Sequence, residues 1–223
     1  MIITSTVSPL LKIGLRIFGV WPDVPYAAFR RLIHVLSILI VQYFQYLYIY
    51  AHCRLGELEN FVESLPATFY YSLTCIKVMT LWIHHRIVRE VLATMDTDWC
   101  ECVNVDRHLH LMKRKARLSH FCVNIWLSLN TIGGVIYFGS NNAMAIMHLV
   151  GSDNNTSRPF PVSVLFPLDA EQSPIYEILV VILFLHSMLV SYTVAFLNAL
   201  ISTLILHVSG QIDIISQGLK MYL

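Results

Sequence analysis

Residues 32–53 read LIHVLSILIVQYFQYLYIYAHC, 22 residues without a formal charge between Arg31 and Arg54. As a helix rising 1.5 Å per residue the run covers roughly 33 Å, enough for a bilayer hydrocarbon core of about 30 Å. Its aromatic residues Tyr43, Phe44, Tyr46, Tyr48 and Tyr50 crowd the second half, which predicts an interfacial position for that end. The stretch therefore reads as a membrane span over about 32–53.

Three other stretches follow the same pattern. A second span is expected over 65–85, where Lys77 is the one charge before the exit run TLWIHHR. An unpaired lysine at mid-bilayer costs on the order of 2.5–3.5 kcal/mol, less where its stem snorkels. Residues 118–152 are 35 positions without charge. Their first part, 118–138, reads as a third span, after which Gly139, Asn141 and Asn142 weaken the pattern and a polar loop begins. A further 35 uncharged positions run from Ile178 to Ile212, roughly 52 Å as one helix. The fourth span is placed over 175–206, and 207–223 reads as a helical extension into water because HVSGQIDIISQGLK mixes polar and apolar residues at helical spacing. A barrel needs shorter strands that alternate their faces, and these runs are apolar on all sides.

Composition explains why four such runs are not the buried core of a water-soluble domain. Of 223 residues, 56% are hydrophobic and 13% are charged, with a mean hydropathy of +0.62. Soluble domains carry about 25% charged residues, so too little polar surface remains here to enclose four apolar helices. The expected class is all-α and polytopic, with four transmembrane helices.

The cations then give the orientation. The segment before the first span holds Lys12, Arg16, Arg30 and Arg31, and the loop 86–117 holds Arg86, Arg89, Arg107, Lys113, Arg114, Lys115 and Arg117. The other two loops hold Arg54 and Arg158, so the split is 11 (four plus seven) to 2. The positive-inside rule puts the amino terminus and the loop 86–117 in the cytoplasm, and the loop 139–174 outside. Asn154 and Asn155 each begin an N-x-[ST] sequon inside that outer loop, as glycosylation requires.

Several functions are disfavoured. Net charge is +1, without the basic excess that attracts nucleic acid. Five scattered cysteines make no disulfide framework, and Cys100-x-Cys102 with His108 and His110 lacks a zinc spacing. His108 and His110, two apart, do not share a helical face. No catalytic or cofactor-binding motif occurs, and the spans hold almost no carboxylates, so neither an enzyme nor a bound cofactor is expected. Lys12 and Arg16 interrupt the apolar start, unlike a cleavable signal peptide. A mostly apolar cavity with a few hydrogen-bonding groups is how small organic molecules are held.

Three motifs carry a resemblance. LLKIGLRIFGVWPD, ending in Gly19-x-Trp21-Pro22, resembles the approach to the first span in insect odorant receptors. Physically it reads as an amphipathic helix at the inner leaflet, with Leu10, Leu11, Ile13 and Ile17 toward apolar surroundings and Lys12 and Arg16 toward phosphates. RPFPVSVLFPLDAEQSPIYEIL, with Pro167-x-Asp169 and Pro174-x-Tyr176, resembles the family's outer approach to span 4. His207-x-x-Gly210-Gln211 resembles the entry to its cytoplasmic extension. The related gustatory receptors share the architecture, but their signature lies outside this sequence.

The resemblance implies a seven-helix, ligand-gated cation channel subunit in the plasma membrane. It would assemble with a shared co-receptor and bind small volatile organic molecules among spans 2, 3, 4 and 6. Spans 5–7 are not in these 223 residues, and the chain is expected to be the amino-terminal part of a longer product. Candidate ligand contacts then fall in the outer halves of the spans. Tyr70 and Thr74 share a face of span 2, Gly133 and Tyr137 share a face of span 3, and Leu183 and His186 come from span 4. The alternatives are a four-span membrane scaffold and, with weaker sequence support, a small transporter.

Overall fold

The computed structural model describes residues 5–21, 25–103, 106–150, 160, 162–166 and 174–222. Among them every regular element is helical: α1 Pro9–Ile17, α2 Ala27–Leu55, α3 Leu58–Ile83, α4 His85–Val103, α5 Asp106–Val150 and α6 Ile175–Tyr222. The fold is all-α. Two helices, α2 and α6, are long and apolar enough to cross a membrane. α3 and α5 have the length, at 26 and 45 residues, but dilute their apolar runs with Pro66 and Lys77 in one and His120, Asn124 and Asn130 in the other.

The helix limits depart from the sequence reading at three places. α3 starts at Leu58 rather than near 65, after a turn at Gly56 with φ 75°, and Glu59 lies in its first turn, where a carboxylate suits the helix dipole. Most of the loop 86–117 is helical, divided between α4 and the start of α5. α5 does not stop near 138 but continues through Gly139 and the Asn pair to Val150. The residues that follow, AMAIMHLV, are mostly good helix formers and outweigh three weak ones. α6 is a single helix of 48 residues that takes in both the stretch 175–206 and the helical extension expected after it.

The chain divides into two compact units. The first contains Met1–Arg31, Thr80–Leu129 and Thr193–Leu223. Its core joins Val7, Leu11 and Leu15 to Leu92 and Met95 of α4, Val123 of α5, and Ala199 and Leu200 of α6. Ser8 caps α1 by accepting a bond from the Leu11 N–H at 3.1 Å, and Pro9 occupies the first turn, where no amide donor is needed. Past α1, Gly19 adopts φ 69°, and a Cβ there would lie 2.7 Å from the Ala27 carbonyl oxygen. Only glycine fits both demands. That is the physical content of the Gly19-x-Trp21 motif, completed by Lys12, whose Nζ lies 4.9 Å over the Trp21 ring.

The amphipathic reading of α1 needs one correction. Leu11 is fully buried in the protein core, with Leu15 beside it, whereas Leu10, Ile13 and Ile17 are exposed. A hundred-degree step per residue separates these two apolar faces. Gly14 lies on the buried face, where an added Cβ would collide with the Phe196 ring. Polar links also cross this unit. Ser119 and Thr203, both fully buried, share a 2.9 Å hydrogen bond. Buried His207 contacts the Thr6 hydroxyl through Nδ1 at 3.2 Å and Asp98 through Nε2 at 3.1 Å. Lys115 pairs with Asp213 at 2.9 Å.

A second cluster in the same unit joins Trp99 and Cys102 of α4 to Met112 and Ala116 of α5. Burial pushes the Cys102 thiol above its ordinary pKa, with Asp98 and Glu101 adding to the shift. Cys100, two residues earlier, is exposed.

The second unit contains Leu32–Met79 and Asn130–Tyr192. Here Val162 and Val164 pack with Leu183 of α6, beside Val41 and Phe44 of α2. Phe166 lies 5.0 Å from Phe44 and 5.5 Å from Phe160, whose ring is 5.3 Å from Tyr176. The Leu165 N–H donates to the Phe44 carbonyl at 3.3 Å. Of the family-like outer segment, Phe160, residues 162–166, Pro174 and Tyr176 lie among the described residues.

Candidate functional site

All six candidate contacts belong to the second unit. They do not present themselves alike. Thr74 is 1% exposed, but its hydroxyl donates to the Tyr70 carbonyl at 2.8 Å. That donation uses the hydroxyl proton on its own helix and leaves the oxygen as an acceptor and the methyl group to pack. Tyr70 is partly exposed and interacts with Ser191 through its side chain. Tyr137 is 47% exposed, and Gly133, one turn away, has open space where a Cβ would stand. Leu183 belongs instead to the core with Val162 and Val164.

His186 is the candidate with the most defined surroundings. Its ring stacks on Tyr71 with centroids 5.7 Å apart, and its Nδ1 is 3.4 Å from the Tyr71 hydroxyl. The buried Nε2 has no hydrogen-bond partner among the described residues, although the Ser37 main chain is close enough to act on the ring. His34 is also near enough to feel its charge. Tyr70 lies edge-on to Tyr71 at 6.5 Å. Both Tyr70 and His186 thus make ring contacts with Tyr71, a residue that the sequence reading omits.

The omitted residues are mostly polar groups on apolar helices. Gln42 donates to the Tyr46 hydroxyl at 2.9 Å and to Ser72, and Tyr46 meets Ser72 at 3.0 Å. Thr131 bonds Tyr192 at 3.0 Å, and Ser191 donates to Asn130 at 3.2 Å. Gln45 is fully buried, and neither its amide oxygen nor its nitrogen has a partner among the described residues. Glutamines inside an apolar run were the available signal, because a polar side chain in lipid is driven toward protein. Lys77 is exposed on α3.

Among the described residues no three His, Cys, Asp or Glu side chains are grouped to hold a metal. Asn154 and Asn155 lie outside the described residues. No family model, curated protein or solved structure matches the chain.

Proposed function

We propose that this chain is the four-span, odorant-binding portion of a receptor subunit of the insect odorant receptor type. In this reading α2, α3, α5 and α6 cross the plasma membrane with the amino terminus in the cytoplasm, as the 11-to-2 division of cations favours. The complete product, joined to a co-receptor, gates a cation conductance when a volatile molecule binds. The chain itself carries out no catalysis.

The observation that carries the reading is the state of the buried polar groups in the second unit. Gln45 is fully buried, and neither its amide nor His186 Nε2 has a hydrogen-bond partner among the described residues. Each unsatisfied group costs about 1–3 kcal/mol, and a small molecule that hydrogen-bonds to one of them removes that cost on binding. Such a site prefers volatiles with a carbonyl or hydroxyl on an apolar body. Support for the family comes from the Gly19-x-Trp21 turn and from the Phe-rich outer segment held against α2, since each motif has a defined structural task.

The test is to express the full-length gene product with an odorant receptor co-receptor and record odorant-evoked current. Currents are expected to volatile alcohols, ketones or esters, and His186→Phe is expected to reduce sensitivity to them by about tenfold, the worth of one hydrogen bond. Silence across a broad panel, with the protein shown at the cell surface, overturns the reading.

A further inference from the structure

Two arginines of the first unit stand in a configuration that a folded protein does not leave uncompensated. Arg31, on α2, is 8% exposed; its Nε donates to the Ala27 carbonyl at 3.3 Å, while its Nη1 is buried and has no hydrogen-bond partner. Arg89, on α4, is half-buried, and its Nε is likewise buried and unpartnered. The two guanidinium groups are near enough to repel one another. The ion pairs of the described residues are His52–Glu57, Lys115–Asp213 and His207–Asp98, so neither arginine takes part in one.

A guanidinium cannot relieve this by giving up its proton, because its pKa lies above 12. Like charges in a partly desolvated place repel, and each orphaned N–H adds its own desolvation cost. One occupant cures both faults: an oxyanion with more than one negative charge and several acceptor oxygens. Arginine forks match phosphate oxygens better than any other side chain does. Arg86, one turn before Arg89 on α4, is exposed and adds a third cation to the same helix end.

We propose that Arg31 and Arg89 form a binding site for a phosphate-bearing anion. The same chemistry is offered by the phosphorylated headgroup of an inositol lipid and by a free inositol phosphate. The site is independent of the odorant reading, since it lies in the other unit and uses none of the same residues.

The test uses the purified 223-residue chain in detergent micelles. Native mass spectrometry follows binding of a short-chain phosphatidylinositol 4,5-bisphosphate, of inositol 1,4,5-trisphosphate and of inorganic phosphate. Arg31→Gln and Arg89→Gln should each weaken binding by about tenfold or more, as expected for loss of one charge-assisted fork. Arg30→Gln serves as the control. That exposed neighbour is engaged with the Arg16 carbonyl at 3.4 Å, and its loss should change binding less than about twofold, as for a surface charge. Binding of the lipid but not the trisphosphate identifies a headgroup site, and equal binding of both identifies a soluble effector; either supports the proposal. Equal losses from Arg30→Gln and Arg31→Gln, or no binding of any of the three, overturn it. Should the glutamine variants fail to fold, the wild-type chain decides. Its melting temperature must rise with inositol trisphosphate over chloride at matched ionic strength, and an unchanged value overturns the proposal.

Discussion

The two units treat buried polar side chains differently. In the first, many are joined to residues far away in sequence: Thr6 to His207 over 201 positions, Asp98 to His207 over 109, Ser119 to Thr203 over 84. In the second, many hydroxyls turn back onto their own helix, as Ser64, Thr68, Ser72, Thr74 and Ser187 do. Gln45 bonds to nothing described. Long-range bonds fix one arrangement of helices, because breaking any of them strands a buried group. Local bonds survive small shifts between helices. The difference is one of degree, because the second unit also bonds Thr131 to Tyr192 and Ser191 to Asn130, each over 61 positions.

This contrast predicts unequal responses to substitution. The largest effect should come from Leu11→Ala in the first unit, a fully buried side chain at the centre of its core. A loss of about 2–5 kcal/mol is expected, read as a lower midpoint in a denaturation series in micelles. Gly14→Ala should cost less, about 1–3 kcal/mol, because its methyl group overpacks the Phe196 ring. Combining it with Phe196→Leu should recover part of the loss, and strict additivity of the two would show that the contact is not the cause.

In the second unit the sign should change. Gln45→Leu replaces an orphaned buried amide with an apolar group of similar size, so thermal stability should stay level or rise. A clear drop would mean that Gln45 is satisfied and that the contrast between units is overstated. The smallest effect is chemical. Because its raised pKa leaves less Cys102 thiolate at a given pH, maleimide near pH 7.5 should label exposed Cys100 well before Cys102. Raising the pH should narrow the gap.

Legibility in the sequence followed physical contrast. α2 was readable almost to its ends because Arg31 and Arg54 bracket an uncharged run. α4 is hidden, since a charged helix has no membrane signature and its apolar residues Leu92, Met95, Trp99 and Cys102 show only once their core partners are known. The outer end of α5 was misjudged because glycine and asparagine are weak signals on their own. At the candidate site, Tyr70 and Tyr71 are adjacent and chemically identical, so only the packing of His186 distinguishes the buried ring from the exposed one. Thr74 was correctly read as sharing the helix face of Tyr70, but the capture of its hydroxyl by the main chain depends on a rotamer.

The His207 contacts carry a consequence for biosynthesis. Thr6, Leu11 and Leu15 find partners among residues 199–207, which are translated long after them. At about 5–20 residues per second, the ribosome needs roughly ten to forty seconds to deliver them. Until then the nascent amino-terminal segment has an apolar stripe and no core to receive it, which makes it a client for chaperones or for the bilayer surface.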